Sequence, residues 1–515
     1  MENIYLKILE DNFEKLMNLF DRDPYSKTFG YADRLYWGWK VSDFSNGTMQ
    51  GAVLSLATGL KLSEKYRKNK NIVLDVIRSG ILACEHIMAK NGSMVEAYPG
   101  ENSFCVTALV AHDILRTLRI LGDDLEEEFH KKAISIVEPM IDFITKNDEE
   151  HAIISNHLAT GLAAIELWNA CTEEKNTRAN ELLEIIASHQ SDEGWFKEYE
   201  GPDPGYQTLC TYYLASAKEA GNSLSSLDMD GSLEFLSKFV HPDGSIGGFY
   251  GSRNTKVLYP GGLEYFKNQN ETCINDALAL IYNGFAAKNH LLPQNIDIGN
   301  YIPLINSYAF AALHFSDSIQ NSKDAKQFEI KLKEAGIYAI KNSCYHAIIN
   351  YKKGGCLCVY NNVSKELDYE DSGYFGRLSN GKIFSSQQYQ VQGEFNDKKI
   401  QSSFFLVNQN SPGPLSTIIL RMLSLTFLKS VSFGNWFKKR IVKMLMTGKK
   451  KIDGSVLRTI HFNEENIEVI DKINRPRKAL SIELGHSSRA IHMASSGYFM
   501  DKGIPPSHIV KHSIS

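Results

Sequence analysis

The feature that most narrows the folds open to this chain is a repeat. Over the first three-fifths of its 515 residues, three elements recur with a period of roughly 50 residues. A charged amphipathic helix pattern comes first, then a loop rich in glycine, proline and aromatics, then a helix pattern rich in alanine, leucine, serine and threonine. The charged segments fall near 2–20, 71–90, 125–146, 176–190, 226–240 and 270–287. The small-residue segments begin near residues 51, 105, 157, 206, 262 and 308, and the fifth, GGLEYFKNQ, is weak. A helix with one apolar stripe and a charged back belongs outside an assembly, whereas helices of small residues let backbones approach and crowd together inside. Six such pairs predict a closed double ring, an (α/α)6 toroid over residues 1–325. An open superhelix of helical hairpins is the alternative, but solenoid turns are short and uniform, and these loops are long.

Closure brings every outer-to-inner loop to one rim. The loops run over 23–47, 91–103, 147–156, 191–205 and 241–262, and several share a cadence of Gly, aromatic, acidic and Pro-Gly. Flat rings suit sugar faces and polar groups suit hydroxyls. Tyr36, Trp37, Trp39, Glu96, Tyr98, Trp195, Tyr199, Asp203 and Tyr250 are therefore candidate substrate-binding residues. The competing role for any one ring is to plug the end of the barrel.

After about residue 335 the hydrophobic period shortens to two, in segments such as CYHAIINY, GCLCVYNN, SSFFLVNQ, ALSIELGH and RAIHMASS. SNGK and NEEN are turn signals between strands. The pattern predicts an antiparallel, sandwich-like β domain over 335–515, with eight or more strands. The whole chain then reads as an α+β multidomain protein. Residues 415–451 interrupt the strands with nine Lys or Arg and no Asp or Glu. Three readings fit this insert. As basic amphipathic helices it would lie peripherally on an anionic membrane with Trp436 at the interface. It would otherwise pack on the β domain or a second subunit, or form a track for a polyanionic substrate.

Composition, 43% apolar and 23% charged, is that of globular material long enough for two to four domains. The formal net charge of −4 gives no reason to expect nucleic acid as a partner. Eight scattered cysteines and an N-terminal stretch unlike a signal peptide lead to the expectation of a cytoplasmic protein with free thiols, either free or held peripherally at the inner membrane. Cys356 and Cys358 share a strand face without a second Cys or His pair, so they read as buried hydrophobes rather than zinc ligands. MTGKKKIDG lacks the spacing of a phosphate-binding loop. No cofactor or metal is expected.

The chemistry points to the junctions of units three and four. Asn156 and His157 open one inner helix and Tyr206 opens the next, so they face each other across the rim. Asn156 alone reads as a helix cap. Together the residues fit β-elimination from a uronic acid, in which donors must strip charge from the sugar carboxylate before the C5 proton becomes removable. A Tyr then takes that proton and delivers one to the departing O4, with a cation such as Arg253 or His157 helping it ionise.

ISNHLATGL followed by GPDPGYQTL resembles the Asn-His and Tyr elements of toroid polysaccharide lyases, the heparinase II/III-like and alginate lyase families. TFGYADRLYWGWKVSDF also resembles a stretch of uncharacterised heparinase-like proteins from bacterial surface-polysaccharide gene clusters. The resemblance implies a toroid followed by an antiparallel β domain. It implies Asn156 as carboxylate neutraliser, His157 as its neighbour and Tyr206 as acid/base. The family's β-domain histidine has no counterpart in LDYEDSGYF, and His346 is the candidate to replace it.

A second constellation comprises Asp43, Glu96, Glu101, Asp192, Glu193, Glu198, Asp203 and Asp243, any two of which would suit a glycosidase. The open functions are thus a uronate-directed lyase or epimerase, a glycoside hydrolase, and a non-catalytic glycan-binding or assembly protein. The expected partner is an oligo- or polysaccharide, free or lipid-linked.

Overall fold

A computed structural model describes residues 2–149, 152–267, 272–317, 327–390, 393–407, 413–443, 448–485 and 507–515. The six predicted pairs are α1 (Ile4–Asp11) with α2 (Ala52–Leu62), α3 (Lys70–Ile87) with α4 (Phe104–Leu121), and α5 (Glu127–Lys146) with α6 (Ser155–Thr172). They continue as α7 (Arg178–Ser188) with α8 (Pro204–Ala220), α9 (Met229–Lys238) with α10 (Gly261–Lys267), and α11 (Thr272–Ala286) with α12 (Ile298–His314). Odd-numbered helices lie outside. The even-numbered ones contact one another in chain order, and α12 packs back on α1 and α2. The ring is therefore closed, as predicted, and the open superhelix is excluded.

Burial explains the two helix types. Inner α4 buries nearly every residue from Phe104 to Leu118, and of its buried charges Arg116 is paired with Glu219 at 2.5 Å. Outer α5 buries one stripe, Ala133, Ile136, Val137, Met140, Ile141, Phe143 and Ile144. The weak fifth inner helix has a packing cause as well. A Cβ on Gly262 would stand 2.5 Å from the Thr211 carbonyl, so α10 begins with glycines because α8 comes so close. Across the closing seam Asn3 Nδ2 donates to the Ala312 carbonyl at 3.0 Å, and Tyr5 Oη to Glu264 at 2.8 Å.

The β domain forms two sheets. The first has five antiparallel strands in chain order: β1 (Phe328–Leu332), β2 (Ile337–Lys341), β3 (Tyr345–Asn350), β4 (Cys356–Asn361) and β5 (Leu367–Asp371). The second contains β6 (Tyr374–Leu378), β7 (Ile383–Ser385), β8 (Lys399–Val407), β9 (Lys450–Phe462), β10 (Ile467–Asn474), β11 (Ala479–Leu484) and β12 (Val510–Ile514). Its spatial order is β11-β6-β7-β8-β9-β10-β12, antiparallel except for β10 with β12. SNGK and NEEN turn the chain between β6 and β7 and between β9 and β10. The strand expected in RAIHMASS lies outside the described residues.

The first sheet is sandwiched. Ile348, Cys358 and Tyr360 join the toroid core, whereas Ala347, Ile349, Leu357 and Val359 pack toward Ile400, Ile460 and Val469 of the second sheet. Burial on both faces gives the continuous apolar runs of β3 and β4.

The basic insert, between β8 and β9, forms α13 (Pro414–Leu425) and α14 (Val431–Val442). It folds back onto the toroid rim. Arg421 pairs with Asp43 at 2.9 Å, Lys438 with Glu101 at 3.1 Å, and Asn102 Nδ2 donates to the Leu428 carbonyl at 3.2 Å. The insert thus packs on the toroid loops, a seat that its composition does not reveal.

Candidate active site

Three rim loops meet at one carboxylate. Ile154 and Glu198 form an antiparallel bridge between the α5–α6 and α7–α8 loops, and Ser155 Oγ donates to the Lys197 carbonyl at 2.8 Å. This pairing places Asn156 in the first turn of α6, where its side chain makes no cap. Its Nδ2 instead donates across the loops to Glu198 Oε2 at 2.8 Å. The other oxygen, Oε1, accepts from Arg253 Nη1 at 2.6 Å.

Arg253 comes from the α9–α10 loop, and Asp203 positions it. One Asp203 oxygen caps α8 by accepting the Tyr206 amide at 3.0 Å, and the other accepts the Arg253 amide at 2.8 Å. The guanidinium carbon lies 3.5 Å from the centroid of the Tyr206 ring and 5.3 Å from that of Tyr199. Asn156, Tyr206 and Arg253 are thereby brought together around Glu198. Arg253 Nε has no hydrogen-bond partner among the described residues, so the guanidinium keeps donor capacity.

Burial sets the electrostatics. It pushes Glu198 up to about 7, against the pull of Arg253 and the Asn156 amide. It raises Asp203 too, despite the two amides that Asp203 accepts. Burial alone would lower Arg253, but Tyr206 and Glu198 outweigh it and leave the cation more firmly protonated than usual.

The β domain braces this loop. Lys353, in the turn between β3 and β4, donates from Nζ to the Phe249 carbonyl at 2.9 Å and to Gly251 O and Asn254 Oδ1. Its burial lowers it to about 8. Asn350 Nδ2 donates to the Tyr250 carbonyl at 2.7 Å and to Tyr389 Oη at 2.8 Å.

A second cluster adjoins. His157 Nδ1 lies 3.1 Å from Glu149 Oε2, so His157 points along the rim rather than onto Glu198. Glu96 reaches solvent, yet crowding by the loops around it, with the charge of Glu101, pushes it up to about 7. Glu101 itself is lowered, because Lys438 and the Ala97 and Glu96 amides outweigh its burial.

The remaining expected residues divide. Trp39 is 70% exposed. Tyr36 stacks on Tyr31 with centroids 5.7 Å apart, and Trp37 Nε1 donates to the Leu19 carbonyl at 2.8 Å. Tyr199 lies half-buried beneath Arg253 with φ of 60°, and Tyr98 is buried against Phe437. Three expectations need correction. Tyr250 is sealed, its hydroxyl 2.8 Å from His241 Nε2, and Trp195 is buried with Nε1 donating to Glu193 at 3.0 Å. Both plug the barrel and offer no face to a sugar. Asp203 is likewise a cap and loop brace rather than a substrate contact.

Most of the carboxylate constellation is also occupied. Asp43 and Glu101 pair with the insert. Asp243 accepts the Ser245 amide and hydroxyl, and Glu193 accepts the Glu334 and Ala335 amides. His346 does not replace the missing family histidine. It is fully buried, its ring 6.2 Å from His241 and 5.5 Å from Phe328, inside the joint between sheet and toroid. Ser216, His112 and Asp113 adjoin like a triad, His112 Nε2 lying 2.8 Å from Ser216 Oγ. All three are closed to solvent in the toroid core.

Residue patterns had not singled out Lys353, Asn350 or Tyr389. The one local signal was the glycine pair after Lys353, with φ of 69° and 72°, which marks a tight turn where only glycine is at ease.

No family profile matches the sequence, and no curated protein matches it. Solved structures of toroid polysaccharide lyases do. The Streptomyces coelicolor A3 chondroitin AC lyase in complex with chondroitin sulphate is 10% identical with a TM-score of 0.47, covering 78% of this chain and 64% of that one. A Paenibacillus xanthan lyase is 9% identical with a TM-score of 0.47, covering 78% and 44%. Heparinase III is 12% identical with a TM-score of 0.39, covering 70% and 58%. This chain thus spans less than two thirds of the length of these structures, and the likeness is one of fold.

Proposed function

We propose that the chain is a polysaccharide lyase-like enzyme that acts on a uronate-containing glycan by abstracting the C5 proton. The observation that carries this reading is that Asn156 and Arg253 each hold one oxygen of a single carboxylate, while Tyr206 lies against the same guanidinium. A uronate needs those three things in one place. Donors on both carboxylate oxygens offset the charge that opposes carbanion formation. A fixed cation beside a phenol favours its ionised form.

In this scheme the Tyr206 phenolate takes the C5 proton, and the C5–H electron pair moves into the enolate that Asn156 and Arg253 stabilise. The pair then forms the C4–C5 double bond, the C4–O4 bond breaks, and Tyr206 returns its proton to O4. An epimerase would share the first step and return the proton to C5 from the opposite face. Glu198 occupies the clamp and must yield Asn156 to the substrate carboxylate. The sequence resemblance supports a bacterial surface polysaccharide as substrate.

The test is a panel of uronate polymers followed in the ultraviolet, where the unsaturated uronate absorbs. Activity should fall about a hundred- to ten-thousand-fold in Tyr206→Phe and Asn156→Ala. New reducing ends without the absorbance would point instead to hydrolysis, with Glu96 and Glu198 as the first carboxylates to examine.

A further inference from the structure

The docked insert leaves one face bare. Ser424 and Leu428 are buried against the rim and Arg421 is tied to Asp43, which fixes the orientation of α13. The opposite face carries Leu415, Ile418, Ile419, Met422 and Leu425, 71, 56, 49, 64 and 70% exposed. The spacing of these residues is that of one helical stripe. Exposed aromatics follow it in the chain. Phe427, 63% exposed, lies 5.6 Å from Phe433, which lies 5.4 Å from the half-exposed Trp436, and Arg440 sits 5.5 Å over that indole. The same hairpin exposes Lys429, Lys439, Arg440 and Lys443. Residues 413–443 contain no Asp or Glu.

We propose that this face of α13 and α14 docks on an anionic lipid surface. Charge complementarity selects that occupant. An apolar stripe on a hairpin that exposes cations and has no carboxylate of its own, with an aromatic beside them, suits the headgroup boundary of an anionic bilayer. A second copy of the chain would bring the same cations against each other across a two-fold contact. The rim contacts hold the hairpin as a platform, so docking would present the toroid rim toward the membrane. No helix among the described residues is long and apolar enough to span a bilayer, so the contact is interfacial. The inference is independent of the lyase reading.

The experiment is flotation of the full chain with vesicles of equal parts phosphatidylcholine and phosphatidylglycerol, with phosphatidylcholine vesicles in parallel. The chain should float with the anionic vesicles alone, and Trp436 emission should shift to the blue. Leu415→Ser/Ile418→Ser/Met422→Ser, and separately Lys439→Glu/Arg440→Glu, should lower the bound fraction about tenfold or more. All these positions are exposed, and an unchanged circular dichroism spectrum verifies the fold. Three results would overturn the proposal: no flotation of the unaltered chain, equal flotation with neutral vesicles, or a dimer in vesicle-free sedimentation that the serine variant abolishes.

Discussion

Glu198 is poised near neutrality between its two states, and that decides how the clamp behaves. With its ordinary value of 4.5 raised to about 7, the folded chain holds a proton that the unfolded chain has released anywhere between those values. The contribution of Glu198 to stability therefore falls as pH rises from about 4.5 to 7 and levels off above. Glu198→Gln removes this contribution, so the difference in melting temperature between the two proteins should change across that window and stay constant beyond it. A thermal melt at each pH checks this. The same titration reaches the proposed reaction. Ionised Glu198 competes with a substrate carboxylate for Asn156 and Arg253, so KM for a uronate substrate should rise as pH passes 7, and the Gln variant should lose that rise. A KM that follows pH identically in both proteins would remove Glu198 from the path of the substrate.

The clamp also shows what a sequence leaves unseen at this scale. Asn156 reads as a cap because Asn is favoured at helix starts. Its partner is 42 residues away, brought near by a two-residue backbone bridge that leaves no periodic trace. Trp195 and Tyr250 read as sugar platforms because composition does not distinguish a ring that lines a rim from one that plugs it.

Among the elements, α8 most directly couples fold to site, through the two oxygens of Asp203. One caps the helix and the other holds the Arg253 amide. Asp203→Ala should cost about 1 kcal/mol for the cap and a further ~1–3 kcal/mol for the buried amide left unpaired. Asp203→Asn separates the two tasks. Asparagine still caps but has one acceptor oxygen, so it should keep the cap and lose only the ~1–3 kcal/mol of the unpaired Arg253 amide, a smaller loss of stability than alanine's, while kcat/KM falls. Equal losses in both would mean that Asp203 serves the fold alone.

The helical ring itself was legible because each helix repeats its own environment: one buried stripe outside, burial all round inside. The insert was legible as basic amphipathic helices but not in its docking. Lys438 and Arg421 meet carboxylates more than three hundred residues away in sequence, and ion pairs between loops have no spacing rule. Lys438→Met should free the hairpin, detected as faster amide exchange across α14, while the helices of the ring stay protected.

The toroid and the β domain share one core, since Ala335, Ile337, Ile348, Cys358 and Tyr360 belong to the same apolar cluster as the ring helices. The change of period near residue 335 announces two domains. That the first sheet is buried on both faces is visible only in how unbroken its apolar runs are. Lys353 joins the halves at the site, its ammonium enclosed by Phe249 O, Gly251 O and Asn254 Oδ1. Burial lowers it from 10.5 to about 8. Between those values the unfolded chain holds the proton and the folded chain has released it, so this group makes stability rise with pH above about 8. Lys353→Met cannot titrate and leaves three acceptors unpaired in the loop that carries Arg253. It should lower the melting temperature at pH 7, abolish this group's rise in stability above pH 8, and weaken uronate binding by releasing Arg253, though Lys353 touches no substrate. Differential scanning calorimetry across the alkaline range, with binding measured below the transition, tests all three. An unchanged alkaline profile would show that Lys353 does not titrate as its surroundings require, and intact binding would show that the toroid holds its fifth loop without the β domain.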